Sequence, residues 1–385
     1  MAVAAVTKSA FRKYFALLLL CNSAALFAAV LPEERVDALY HRYDGGGLKV
    51  DGTSVLVRKN IADKVSISGN YFVDNVSSAS IDVVTQASKF TDKRTEKSLN
   101  VDYLFDRTLL SGGYINSTES DYLSKTFHFD MSQDFFGDLT TFSMGYTRGN
   151  NTIKDNNDAS IHETSVHQEY RTGLSQILTR NLIVSGTEEI MVDDGYLSNP
   201  YRSYRFLDPS VARGYSYERE VFPKARTSST TALHARYHLP NYRAAIYGDY
   251  RYYTDGWDIK SNTIEVGYDH TLPAGWLFDV HVRYYKQSAA NFYSDLFARR
   301  NEDRYMTRDK QLSDMHSITY GAGITYDLPY KSAYIDKLTF NLFWDHVQFY
   351  FDDFRNVQVQ GMAPGTEPEY SYDADILRFL FTVWF

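Results

Sequence analysis

The sequence predicts an all-β fold: a transmembrane, up-and-down antiparallel β-barrel of about sixteen strands. Three observations predict it: an alternating carboxyl-terminal strand, period-two patterning along most of the chain, and connections that take turns being short and long. In 377–385, Leu377, Phe379, Phe381, Val383 and Phe385 share one face, while Arg378 and Thr382 share the other. Successive strand residues point to opposite faces, so one face is wholly apolar. In water that edge would recruit other chains, whereas a closed sheet in lipid has no free edge. Phe381, Val383 and the aromatic last residue Phe385 also resemble the signal read by the bacterial outer-membrane assembly machinery.

The chain begins with residues expected to be removed. Lys8, Arg12 and Lys13 form a positive region, an apolar run follows over 14–20, and small residues lie at 23–29, so 1–29 reads as a secretory signal. That run is too short to span a bilayer as a helix. Cys21 follows Leu20, where a lipidation box wants a small residue, so the cysteine is expected to leave with the leader. Residues 30–52 are an amino-terminal segment, either a first strand or a plug, and 53–385 are the barrel. The formal charge of the whole chain is −8, and losing the leader's three cations makes the rest more acidic. Such a chain, with no basic block, is not built for nucleic acid. The one cysteine of the sequence lies in the leader, so disulfides and thiolate metal sites are excluded after cleavage. Its 32 tyrosines suit both strands and a membrane interface.

The strand signal is cleanest at 264–269, where Ile264, Val266 and Tyr268 oppose Glu265, Gly267 and Asp269. Phe278, Val280, Val282 and Tyr284 likewise oppose Asp279, His281, Arg283 and Tyr285, and similar alternation marks 99–105, 142–147, 233–239, 318–326 and 338–344. Short connections at 105–107, 136–138, 178–181, 239–242, 272–275 and 328–331 carry turn-forming residues. Between them fall polar connections at about 74–95, 117–121, 150–160, 191–226, 254–257, 289–312 and 351–369. Short turns at one end and longer loops at the other are the asymmetry of an outer-membrane barrel. Strands at 53–59, 64–73 and 36–43 complete sixteen; fourteen is the alternative if the first segments are a plug.

Several strings resemble one family. They are Tyr40-His41-Arg42-Tyr43-Asp44-Gly45-Gly46-Gly47, the run 51–59, and the runs 74–82, 133–140 and 195–202. Together they look like domain-of-unknown-function family 3570, over essentially the whole mature chain. Thr53 departs from the proline expected there, which would loosen a turn. The resemblance implies a Gram-negative outer-membrane protein without an established activity. It also implies a setting near a small lipoprotein, a thioredoxin-like protein and a flavin transferase, and so redox- or metal-related cargo with a periplasmic lipoprotein or redox partner.

If the apolar faces meet lipid, the opposite faces line the lumen. These carry His234, Arg236, His238, Asp249, Arg251, Glu265, Asp269, Asp279, His281, Arg283 and Arg378. A ring of fixed charges can select solutes, while an ion-pair network would merely satisfy groups inside the sheet. His234, His238 and His281 with nearby carboxylates suit a metal by chemistry, but histidines two apart on a strand lie roughly 7 Å apart, long for one ion. Asp279 beside His281, with Asp193 and Asp194, resembles an acid–base pair for activating water, yet no serine nucleophile motif accompanies it. Gly45-Gly46-Gly47 reads as a tight turn, since no strand–turn–helix context or Lys-Ser/Thr makes it a phosphate loop.

The connection at 191–226 is too long for a simple loop. Tyr196, Tyr201, Arg202, Tyr204, Arg205 and Arg213 in it are the residue types that dominate interfaces, so it is either a recognition surface or a loop packed on itself. Arg299, Arg300, Arg304 and Arg308 form a second charge run expected to face solvent or lipopolysaccharide. The expected partners are thus outer-membrane lipid and lipopolysaccharide, the assembly machinery and a periplasmic protein. No cofactor or catalytic residue is assigned. The leading function is a pore or transport component, followed by a non-conducting scaffold or surface-binding protein, and last a hydrolase.

Overall fold

The computed structural model describes residues 30–78 and 90–385, so the leader expected at 1–29 lies outside the described residues. Eighteen strands follow in order. They are β1 (Arg35–Gly45), β2 (Leu48–Ile61), β3 (Val65–Ser78), β4 (Phe90–Phe105), β5 (Thr108–Thr118), β6 (Tyr122–Phe135), β7 (Thr140–Lys154), β8 (His162–Thr179) and β9 (Leu182–Gly195). Then come β10 (Ser203–Leu207), β11 (Tyr215–Arg219), β12 (Ala225–Leu239), β13 (Ala244–Asp255), β14 (Lys260–Thr271), β15 (Trp276–Gln287), β16 (Met315–Leu328), β17 (Lys337–Arg355) and β18 (Glu369–Trp384).

All but β10 and β11 form one closed antiparallel barrel of sixteen strands, each beside its sequence neighbour, with β1 sealing against β18. Arg35 pairs with Trp384 and Gly45 with Ala374 along that seam. The segment 35–45 is therefore wall, and the fourteen-strand alternative fails because β1 supplies backbone partners to both β18 and β2. Closure leaves no edge to satisfy.

The outward faces are apolar and exposed where sequence alternation is strongest. Val55, Leu99, Phe129, Leu233, Val266 and Val282 all point out and remain uncovered by protein. Strands run past this band at one end, which explains why most of the polar loops are shorter than expected. β3 continues to Ser78 and β17 to Arg355: pairing continues beyond the lipid level, where the outward face turns polar and apolar residues such as Val76 and Phe351 are buried instead, so the lipid-facing signal vanishes. Thr53, expected at a turn, instead lies inside β2 between Tyr40 and Val73.

The short turns hold where the residues predict them. Asp106, Gly137, Asp138, Arg243 and Gly275 take positive φ there. At the other end Gly46 (φ 58°) and Gly47 (φ 77°) join β1 to β2 in a two-residue turn, a geometry that asks for φ > 0 at both positions. The carboxyl end of β18 sits at the short-turn end, where the Lys59 ammonium lies 5.1 Å from the centre of the Phe385 ring.

Candidate functional site

Sixteen strands enclose a lumen too wide for wall side chains alone to fill. All eleven charged or histidine residues assigned to the lumen point into it, and among the described residues all but His238 form an ion pair or a histidine–carboxylate pair. His234 Nδ1 lies 2.7 Å from Asp249, Arg251 reaches Glu189 at 3.2 Å, and Arg236 bonds Asp269. Arg283 donates to Glu265 at 2.5 Å. Arg378 donates to Asp345 at 2.7 Å, and the same carboxylate meets His281 Nε2 at 3.1 Å while His281 Nδ1 meets Asp279 at 3.0 Å.

This arrangement bears on the other lumen readings. His281 stands three strands from His234 and His238, roughly 14 Å at the usual strand spacing, so the three imidazoles do not converge on one ion. Asp193 points inward to His167 at 2.7 Å, whereas Asp194 points out, so these two carboxylates are not a pair on one face. His281 has both ring nitrogens occupied by carboxylates and does not present a free base.

Sequence reasoning missed the opposite wall. There His41 meets Asp74 at 3.0 Å, Arg58 meets Asp102, His128 lies 2.8 Å from Asp130, and Arg171 reaches Asp130 at 2.7 Å. The signal was present as glycine or serine inside strands. Gly52 lies between His41 and Asp74 and Gly321 between His281 and Asp345, while Ser66, opposite Asp102, accepts a bond from Arg58 at 3.1 Å. A small middle residue lets side chains two strands apart touch.

The long-loop end carries a cap. Strands β10 and β11 pair as a hairpin within 196–224, rooted between β9 and β12. Its outer turn packs on the loop between β17 and β18, where Arg205 bonds Glu367 and Gly214 lies against Pro364. Near the root, Tyr201 donates to Asp121 at 2.8 Å between β5 and β6, and Arg219 reaches Asp155 at 3.3 Å between β7 and β8. The hairpin therefore bridges the mouth from one wall toward the other. The loop 288–314 lies beside it: Phe206 bridges to Phe297 and Val221 to Met306. Tyr204, Phe206, Phe297 and Met306 make one apolar cluster, and Phe222, Trp257, Phe292 and Leu312 belong to a second.

Burial decides what the loop residues do. Arg205 is 0% exposed, Tyr204 1% and Arg202 4%, so these three are cap interior and out of reach of an external ligand. They were candidates because aromatic and arginine residues mark interfaces, and the interface they build is internal. Arg202 pairs with Asp309, and Arg308 bonds Asp295 and stacks on Phe354. Tyr196 and Tyr201 are half-buried, and Arg213 alone of the six is exposed. Of the second charge run, Arg308 is buried and Arg300 is tied to Glu218, which leaves Arg299 and Arg304 as its unburied, unbridged members.

Two cap carboxyls are shifted in opposite directions. Burial, reinforced by the Asp309 carboxylate, pushes Glu220 up to about 8 despite Arg202 and a bond from the Arg308 N–H. Burial alone would raise Glu367, but the Arg205 guanidinium outweighs it and holds the carboxyl below its ordinary value.

At the short-turn end a cavity of about 540 Å³ opens, lined by Arg35, Asp37, Asp327, Lys337, Thr382 and Trp384 among others. Lumen, cap and this antechamber together describe a barrel wall with a closure at one end.

The family described as Protein of unknown function (DUF3570) matches residues 84–172 and 155–343, more than half of the chain. The chain belongs to this family. No curated protein matches the sequence. Among solved structures it is similar to CdiB from Acinetobacter baumannii, at 8% identity and a TM-score of 0.48 over 90% of this chain and 60% of that one. It is also similar to the siderophore receptor PirA from Pseudomonas aeruginosa, at 9% identity and a TM-score of 0.41 over 91% and 63%. OmpT, an outer membrane protein of Vibrio cholerae, gives 9% identity and a TM-score of 0.43 over 90% and 98%. The chain thus spans less than two thirds of the first two. This member of the family is a closed sixteen-stranded antiparallel β-barrel with an apolar outer face.

Proposed function

We propose that the protein is a capped channel of the Gram-negative outer membrane, passing or holding a small polar solute, with its short turns and chain ends in the periplasm. The observation that carries this reading is the β10–β11 hairpin fastened across the mouth of a sixteen-stranded barrel by Arg205 and Glu367. A wide charged lumen beneath a cap that is pinned by side-chain bonds is the architecture of a closed path. The periplasmic antechamber would admit solute from inside, and the cap would set release to the outside. Redox- or metal-related cargo, and a periplasmic lipoprotein or redox partner, enter through the family resemblance and are tested by identifying what co-purifies from native membrane.

Planar-bilayer conductance tests the channel. Folded wild-type protein is expected to give small or rare openings, and a variant with 203–219 replaced by a short Gly-Ser linker is expected to give large, steady steps. Silence from both, with each still heat-modifiable on a gel, would overturn it. A non-conducting scaffold is the second reading, favoured by the near-complete pairing of lumen charges. A catalytic role receives no support from His281, whose ring nitrogens are both engaged.

A further inference from the structure

The outward surface of the barrel is not uniform in charge around its circumference. On β4, Leu99 points into the apolar band, and Lys97 is the next outward residue toward the loop end. Its partner on β5 is Asn116, which in turn faces Lys125 on β6, the outward position just beyond Phe127. Phe127 faces Arg148 on β7, the outward position beyond Tyr146. Lys97, Lys125 and Arg148 are all exposed. None forms an ion pair with a carboxylate among the described residues. Two strands separate Lys97 from Lys125, roughly 10 Å, and Arg148 is a diagonal neighbour of Lys125.

Three unpaired cations thus stand in a row directly above rings and aliphatic side chains (Leu99, Tyr114, Phe127 and Tyr146). The flank formed by β17, β18, β1 and β2 differs. At the corresponding polar margin it presents Asp375, Asp373, Asp44 and Asp51, and its cations are already engaged. Lys49 meets Asp44 at 3.0 Å, and Arg42 lies 3.1 Å from Asp44 and 3.9 Å from Asp51. Pairing satisfies one flank internally, while the other has positive charge available at the level where lipid headgroups begin.

We infer that the outward face of β4–β7 is a binding site for a phosphorylated glycolipid of the outer leaflet. Lys97, Lys125 and Arg148 would take its phosphates, and the apolar band beneath them would take its acyl chains. The occupant follows from complementarity in two respects. A row of cations at a membrane margin attracts an anionic headgroup. The apolar surface continuing directly below it suits chains that a free anion lacks. The arginine adds a planar fork suited to bidentate phosphate contact. This site differs from the loop run 299–308 in position and in that none of its three cations is bridged, whereas Arg300 and Arg308 of that run are. It lies on the barrel's outer wall, so it stands or falls independently of whether the lumen conducts.

Native mass spectrometry of the detergent-solubilised full chain, titrated with bisphosphorylated lipid A, tests the site. Wild type is expected to retain one lipid in preference, and the K97Q/K125Q/R148Q variant to bind on the order of a hundredfold more weakly, from roughly 1 kcal/mol per cation. An Arg42→Gln variant on the acidic flank is expected to bind as wild type, and millimolar inorganic phosphate is expected not to displace the lipid. Undiminished binding by the triple variant, shown folded by heat-modifiable migration, would overturn the site. Equal loss in R42Q, or displacement by phosphate alone, would overturn its location or its lipid source.

Discussion

His41 and Asp74 touch although a whole strand lies between them: the imidazole Nε2 on β1 is 3.0 Å from the carboxylate on β3, above Gly52 of β2. Any Cβ at Gly52 would overlap both the His41 ring and the Asp74 carboxylate, and both side chains are buried. Gly52→Ala is therefore expected to cost about 2 kcal/mol through forced displacement in a packed site. Gly112 on β5 faces outward, and a Cβ there meets nothing closer than 3.9 Å. Gly112→Ala should be neutral. Urea titration of the folded barrel in detergent measures both, and equal effects would refute the glycine's role as a saddle.

The cap's attachment can be tested at Arg205. Replacing it with methionine leaves Glu367 buried without its cation, while Asp295 keeps Arg308, a change worth about 3–5 kcal/mol at a buried pair. It also removes the guanidinium from the Tyr215 ring, 4.0 Å away. The barrel should persist, because none of its sixteen strands depends on that contact, while the hairpin should detach. Trypsin cleavage after the exposed Arg213 is the readout: rapid in Arg205→Met, slow in wild type, and partly slowed again when Glu367→Gln removes the orphaned charge.

Seating of the cap should depend on pH through two carboxyls acting at different ends of the scale. Glu220 is raised from 4.5 to about 8, so the protonated acid is what the docked cap prefers. Its contribution is complete below about pH 4.5, declines as pH rises, and is lost once pH passes about 8. Glu367 is depressed, so its contribution is present above about pH 4.5 and lost as pH falls through its docked value. Trypsin sensitivity at Arg213 should thus rise as pH climbs from about 4.5 to about 8 and level off above it, after correction for the protease's own pH profile. Glu220→Gln should flatten that alkaline limb and leave the acid limb unchanged.

The wall was legible in the sequence because lipid imposes a strict rule on every second residue. Val266 and Glu265 announce opposite faces, and the pairing of Glu265 with Arg283 follows once the register is known. The cap was not legible. Its strands β10 and β11 are five residues each; β10 is buried on both faces and β11 half-buried on both, so no alternation marks them. Tyr204 and Arg205 look the same in sequence whether they contact a ligand or one another. Contacts between strands two apart, such as His281 with Asp345, were hidden for another reason: they depend on what the middle strand lacks, here at Gly321.

The lipid-facing assignment of β14 leads to a paired test at two residues on its opposite faces. Val266 is exposed on the outward face and sits opposite Val282, also exposed, with apolar neighbours Ile264 and Tyr268 along its own strand. A guanidinium at this depth loses its hydration and finds no carboxylate, so Val266→Arg should destabilise the barrel by about 2–4 kcal/mol. Thr263 lies on the other face, beside the Arg251 position in register, where the lumen is polar. Thr263→Gln should change stability by less than about 1 kcal/mol, as lumen substitutions alter lining rather than anchoring. Unfolding titrations in lipid vesicles distinguish the two faces. In detergent the Val266→Arg penalty should shrink, because a micelle deforms around the charge more readily than a bilayer. A penalty of equal size at both positions, or one indifferent to lipid, would mean that this face of β14 does not meet the membrane.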